Sequence, residues 1–151
     1  PLAREVEYAK GYLTIQKMRY KDKLEFEIDV EPSILNIPLI KLVLQPIIEN
    51  AIYHGLKYKE SKGLLQVKGF MEDGNAVLQV IDNGVGMDEE TLSHIYDKHK
   101  VNYHSNGVGV YNVQKRLKLY YGENYGIAYE SEKGVGTTAT ITIPGIQEES
   151  I

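Results

Sequence analysis

The sequence predicts an α+β domain in which a mixed sheet carries its helices on one face. Three observations support this. Helical and strand patterns follow one another as α-β-α-β-β-α-α-β-β, with more strands than a simple α/β repeat would give. Two turn signals, Glu72-Asp73-Gly74-Asn75 and Gly134-Val135-Gly136, join strands pairwise into hairpins. The chain has 151 residues, enough for one domain with a real core.

The first 20 residues hold Val6, Ala9 and Leu13, with Tyr8, Tyr12 and Ile15, at helical spacing, and Gly11 weakens that helix without forbidding it. Residues 24–30 alternate apolar and acidic, a half-buried strand with Leu24, Phe26, Ile28 and Val30 inward. Residues 38–57 read as one long buried helix, opened by Pro38 and bent at Pro46. Strands are expected at 64–71 and 76–82, then a short helix over 88–97 with an acidic first turn. A polar loop over 98–107 leads into a helix at 108–121, ended by Gly122. Strands at 126–131 and 137–143 complete the order, and a polar tail follows. The domain is placed at 3–144 and the tail at 145–151.

Composition narrows the function. Apolar residues make up 42% and charged residues 25%, an ordinary soluble balance. The net charge of −4 argues against a nucleic-acid partner, which calls for a basic stripe. Without cysteine there is no disulfide and no thiolate metal site. No apolar run reaches the roughly 18 residues of a membrane span. A start at Pro1 directly before a helical pattern reads as a piece of a longer protein.

Four groups of residues carry chemistry. Asn50, His54 and Lys57 recur at i, i+4 and i+7 of an otherwise apolar helix and share one face. A buried amide is hydrogen-bonded or bound to something; an Asn oxygen suits Mg²⁺, and a hydrogen bond inside the core is the plainer alternative. Asp82-Asn83-Gly84-Val85-Gly86 ends a strand at its carboxyl side, where ligands often bind. A carboxylate there can accept from an exocyclic amine such as adenine's, and Gly84 and Gly86 let backbone approach a flat base. The same residues also make an ordinary turn. Asn106-Gly107-Val108-Gly109 opens a helix, an arrangement suited to phosphate or simply a glycine-rich start. Thr137, in Gly136-Thr137-Thr138, can reach a base or a bridging water, or reflect strand propensity alone.

Taken together, LQPIIENAIYHG, DNGVGM, NGVGVYNVQKRL and GVGTTATITIP resemble the sequence boxes of the GHKL ATP-binding superfamily. That superfamily holds histidine kinases, gyrase-type and MutL-type ATPases, a large heat-shock chaperone and anti-sigma kinases. QPIIENAIYHG and GVGVYNVQKRLKLYYGENYG are most similar to sensor histidine kinases of the LytS/YesM type. The resemblance spans residues 3–144 and implies the Bergerat fold, a two-layer α/β sandwich with a mixed, mostly antiparallel sheet. It implies ATP and Mg²⁺ as ligands. Asn50 would hold Mg²⁺ and Asp82 would receive the adenine amine. Gly84, Gly86 and Met87 would flank the base, and His54 would stand at the site. Gly107, Val108 and Gly109 would hinge a lid, residues 88–107, and Thr137 would support Asp82 and the adenine.

The chain departs from the superfamily at several points. Gyrase-like members carry a water-activating Glu four residues before the Mg²⁺ Asn, where this chain has Pro46, so hydrolysis is expected to be feeble. Glu49 is a candidate catalytic base or an orienter of an incoming imidazole. Many kinases place Lys where this chain has Tyr53, leaving Lys57, Lys98, Lys100 or Arg116 to face the phosphates. His99 and His104 in the lid have no assigned counterpart. None of His54, His94, His99 and His104 lies in a phosphoacceptor-like context, so the acceptor is expected upstream of Pro1 on the same or a partner chain. The resemblance further implies a response regulator as partner, a homodimer at full length, and a cytosolic domain of a membrane-anchored protein. The rival readings are a gyrase- or MutL-type ATPase and a degenerate ATP-binding sensor.

Overall fold

A computed structural model of the chain describes residues 1–56, 61–95 and 107–146. Among these residues five strands form one sheet: β1 (Leu24–Val30), β2 (Gly63–Glu72), β3 (Asn75–Asp82), β4 (Gly126–Glu132) and β5 (Gly136–Pro144). Their spatial order is β1-β2-β3-β5-β4. β1 runs parallel to β2, and every other pairing is antiparallel. The one parallel pair has a helical crossover between its strands, as parallel neighbours require.

Strand alternation decides which face is covered. Val67, Val80 and Ala139 lie opposite one another across β2, β3 and β5, as do Leu78, Ile141 and Ile127 across β3, β5 and β4. All six are buried, in one core with Ile47, Ile48, Val110, Val113 and Leu117 of the helices. The opposite face carries Gln66, Lys68, Gln79, Thr138, Thr140 and Thr142, with Gln79 Nε2 donating to Thr140 Oγ1 at 3.3 Å. The expected α+β sandwich, with a mixed and mostly antiparallel sheet, is the observed one.

Helix α1 (Leu2–Tyr20) buries Leu2, Ala9 and Leu13, together with Glu5. Tyr8 and Ile15 keep helical spacing but are exposed. Helix α2 spans Leu44–Asn50 and continues as a π-helical turn, Ala51–Leu56. The helix expected from Pro38 therefore begins six positions later. Residues 38–43 are irregular because Leu42 takes a left-handed φ of 59°, which an α-helix does not accommodate. Pro46 consequently falls in the first turn, where its missing N–H has no helical partner to lose, and the expected bend there has no cause. Leu44, Ile47 and Ile48 are at most 1% exposed, and each contributes about 1.5–3 kcal/mol by leaving water.

Helix α3 is only Glu89–Ser93, shorter than the expected 88–97. Asp88 caps it by accepting from Thr91 N at 2.8 Å, and His94 already leaves helical geometry. Helix α4 runs Gly107–Tyr121, and Gly122, at φ 113°, closes it by donating to Lys118 O at 3.0 Å. Most of the loop expected at 98–107 and of the tail expected at 145–151 lies outside the described residues.

The β2–β3 hairpin turns on Asp73 and Gly74, at φ 51° and 80°, the two positive values a twisted two-residue hairpin needs. A Cβ on Gly74 would meet nothing within 4 Å, so Gly74→Ala tests backbone strain alone. The expected loss is about 1–2 kcal/mol, read as a shifted denaturant midpoint with an unchanged slope.

Candidate functional site

A cavity of about 580 Å³ opens between α2, its π-helical extension, the sheet and α3. Ile47, Asn50, Ala51, His54 and Gly55 line it from the helix, at the spacing of a single helical face. Val80 and Asp82 line it from β3, Tyr129 from β4, and Thr137 and Ala139 from β5. Gly86, Met87, Glu90, Thr91, His94 and Ile95 close the remaining side.

Asp82 is the last residue of β3 and is 6% exposed. Its Oδ1 accepts from Gly84 N at 2.8 Å, which fixes the carboxylate as the chain turns away. Asn83 Oδ1 accepts from Leu64 N at 2.7 Å and ties the same turn to β2. Gly84 does not open onto the cavity. A Cβ there would overlap the backbone of Gly55, whose carbonyl also accepts from Val85 N at 3.0 Å. Gly86, at φ 70°, does line the cavity, and a Cβ on it would overlap the Glu132 carbonyl. The room left by both glycines is thus taken by protein backbone.

Asn50 is also 6% exposed, and its Oδ1 is buried with no hydrogen-bond partner among the described residues. A buried acceptor in that state calls for a ligand or an ion. His54 stands edge-on to Tyr53, with ring centroids 5.0 Å apart, and burial pushes its pKa below the usual histidine value. Glu49 does not line the cavity. Its Oε1 accepts from Gln45 Nε2 at 3.0 Å, and its charge is felt by Tyr12 of α1, whose phenol pKa is raised first by burial and then by that carboxylate.

Thr137 faces Asp82 directly in the β3–β5 register. Its Oγ1 lies 2.7 Å from Ser131 Oγ, a hydroxyl that donates to Gly136 O at 3.0 Å and accepts from Met87 N at 2.8 Å. Ser131 thereby fastens the segment after Gly86 to the sheet. Sequence reasoning misses this contact, because a lone Ser in an edge strand carries no motif. Tyr129 and the α3 residues Glu90 and Thr91 were equally unmarked. Gly55 had one usable signal, a glycine directly after the His of a helical motif.

Gly107, Val108 and Gly109 form the first turn of α4, and no described residue of α4 lines the cavity. Arg116 is turned elsewhere: its guanidinium donates to Lys41 O and Leu42 O, both at 2.6 Å. Lys57, Lys98, Lys100, His99 and His104 lie outside the described residues. Among the described residues no group of three or more His, Asp or Glu could cage a metal, and no helix is long and apolar enough to cross a membrane.

Residues 36–147 match the family of histidine kinase-, DNA gyrase B- and HSP90-like ATPases, and the chain belongs to that family. It is similar to the sensor histidine kinase YesM of Bacillus subtilis, at 32% identity over 143 residues, covering 95% of this chain and 23% of that protein. The sensor protein LytS of Oceanobacillus iheyensis is 35% identical over 126 residues, covering 82% and 22%. The sensor histidine kinase BtsS of Escherichia coli is 29% identical over 143 residues, covering 95% and 23%. The chain thus spans about a quarter of the length of these relatives. Its fold is that of the catalytic domain of the histidine kinase ThkA, with a TM-score of 0.69 at 17% identity, covering 95% of this chain and 92% of that one. A blue-light-activated histidine kinase of Erythrobacter litoralis superposes with a TM-score of 0.66 at 16% identity, covering 95% and 42%. The LytS/YesM resemblance and the ATP-binding fold it implied both hold.

Because burial holds the His54 pKa down, the unfolded chain takes up a proton before the folded one does as the pH falls through 6.5. The stability linked to this group is complete above that value and is lost below it. Denaturation between pH 7.5 and 5 is expected to show a declining limb, and His54→Gln is expected to flatten it.

Proposed function

We propose that this chain is the ATP-binding catalytic domain of a sensor histidine kinase, and that it passes the γ-phosphoryl of ATP to a histidine outside these 151 residues. The reading rests on one observation. A buried amide oxygen without a partner among the described residues, on Asn50, shares a cavity with the buried carboxylate of Asp82. Mg²⁺ fits the first: it accepts a neutral oxygen, keeps several waters and takes its other ligands from phosphates, so no protein cage is needed. When bound, it would neutralise charge on the phosphates.

In this reading the chain's own residues divide the work. Asp82 accepts from the adenine amine, held in place by Gly84 N and backed by Thr137. Gly86 and Met87 flank the base. His54, kept neutral, adds no positive charge beside Asn50. The start of α4 at Gly107, Val108 and Gly109 turns backbone N–H groups toward the phosphates once residues 88–107 close over them. With Arg116 engaged by carbonyls, the cationic partner falls to Lys57, Lys98 or Lys100. Glu49, off the cavity and near Tyr12 of α1, is the base for the acceptor imidazole or its orienter rather than a contact of the nucleotide. Positioning and charge neutralisation dominate such transfers. The phosphoryl would then pass to an aspartate on a response regulator, and the full-length protein would be a membrane-anchored dimer with this domain in the cytosol. Pro46, where gyrase-like ATPases have their base, disfavours hydrolysis as the main activity.

Two binding measurements test the assignment. Asp82→Asn keeps the acceptor for Gly84 N but makes the partner of the adenine amine ambiguous. ATP affinity is expected to fall about 10- to 100-fold, the worth of a charged hydrogen bond, with little change for GTP. Equal losses for both nucleotides would contradict the adenine role. Asn50→Ala is expected to abolish the gain in affinity for an ATP analogue on adding Mg²⁺. Phosphoryl transfer from radiolabelled ATP, assayed with the acceptor segment present, is expected to fall in Glu49→Gln at unchanged nucleotide affinity.

A further inference from the structure

Helix α2 carries Asn50 but lacks a cap of its own. Val43 makes no side-chain hydrogen bond to its first turn. Free N–H groups at a helix start need acceptors, and here the acceptor comes from another helix. Glu5, buried in the first turn of α1, accepts from Leu42 N through Oε1 at 2.6 Å and from Leu44 N through Oε2 at 3.1 Å. The carbonyls of the same stretch are held by a third helix, through Arg116 of α4 donating to Lys41 O and Leu42 O. Between these two clamps sits Leu42 at φ 59°, a conformation that a bulky side chain adopts only when its surroundings enforce it.

We infer that Glu5 and Arg116 are positioning residues for Asn50, fixing the height and rotation of α2 on which its amide depends. The inference rests on Asn50 being the Mg²⁺ ligand. α2 is seven residues long, so Leu44 and Asn50 lie on one rigid piece less than two turns apart. Mg²⁺ demands near-ideal geometry at about 2.0–2.1 Å, so a small displacement of α2 is felt there. Asp82 is on β3, and the strand does not move with the clamp. Loosening the clamp therefore weakens only the metal-dependent half of nucleotide binding. A purely structural pair would lower stability and leave that ratio alone.

The test is titration of this chain with a non-hydrolysable ATP analogue, with and without Mg²⁺. Glu5→Gln replaces one acceptor oxygen by an amide N–H facing a backbone N–H. Arg116→Lys removes the fork that spans two carbonyls. Each is expected to shrink the Mg²⁺-dependent gain about tenfold or more, as loss of a residue supporting a ligand does, with Mg²⁺-free affinity within about twofold of wild type. In an Asn50→Ala background neither should cost anything further. A folded variant that keeps the wild-type gain, or loses both affinities equally, would overturn the inference. If Glu5→Gln does not fold, Arg116→Lys decides by the same criterion. A wild-type chain with no Mg²⁺-dependent gain would remove Asn50 from the ion site and the inference with it, an outcome distinct from a gain that survives in the variants.

Discussion

The backbone of the π-helical turn lies directly against the backbone that leaves β3, and the geometry of the cavity depends on that approach. Gly55 O accepts from Val85 N, and Gly84 opposite it has no room for a Cβ. Asp82 O is met in the same way by Gly136 of β5. Side-chain packing would leave some freedom between a helix and a strand, since cores tolerate repacking. Main chain against main chain leaves almost none at the point of contact. The turn that follows Asn50 is thereby tied at Gly55 to the exit of the strand bearing Asp82, while the start of α2 is held by Glu5 and Arg116.

The two sides of the cavity differ in how firmly they are built. α2, β3 and β5 contribute fully buried apolar residues and share one core. α3 buries no residue at all and is held by the Asp88 cap, the Ser131–Met87 hydrogen bond and a few contacts. One such cap is worth about 1 kcal/mol. Elements that open and close are drawn from the weakly held end of a structure, and α3 begins the segment that the family resemblance assigns to a lid.

Much of this was legible in the chain. Alternation in 24–30, the apolar run of 76–82 and the Asp73-Gly74 turn mark strands and hairpin, because those signals act over a few residues. Asn50 stands out as a polar group within an apolar helix, and Asp82 as one at the end of an apolar strand. What escaped detection depends on contacts distant in sequence. The true start of α2 is set by Glu5, 39 residues from Leu44, and by Arg116, 74 residues from Leu42. Pro38 looked like a helix opener because local propensity cannot register those bonds. Glu5 itself sits among exposed polar residues of α1 and looks like surface. Gly84 looked like room for a base, whereas its neighbour is a carbonyl that sequence proximity does not bring near.

The π-helical turn also constrains chain length. Its i to i+5 hydrogen bonds use one residue more per turn than an α-helix. Six residues restored to α geometry with the count unchanged would turn everything after them by about 100° relative to Asn50. Gly55 would then no longer meet the β3 exit, and the two halves of the pocket would separate. Removing one residue at the same time would cancel that rotation, so helix type and residue count can change here only together.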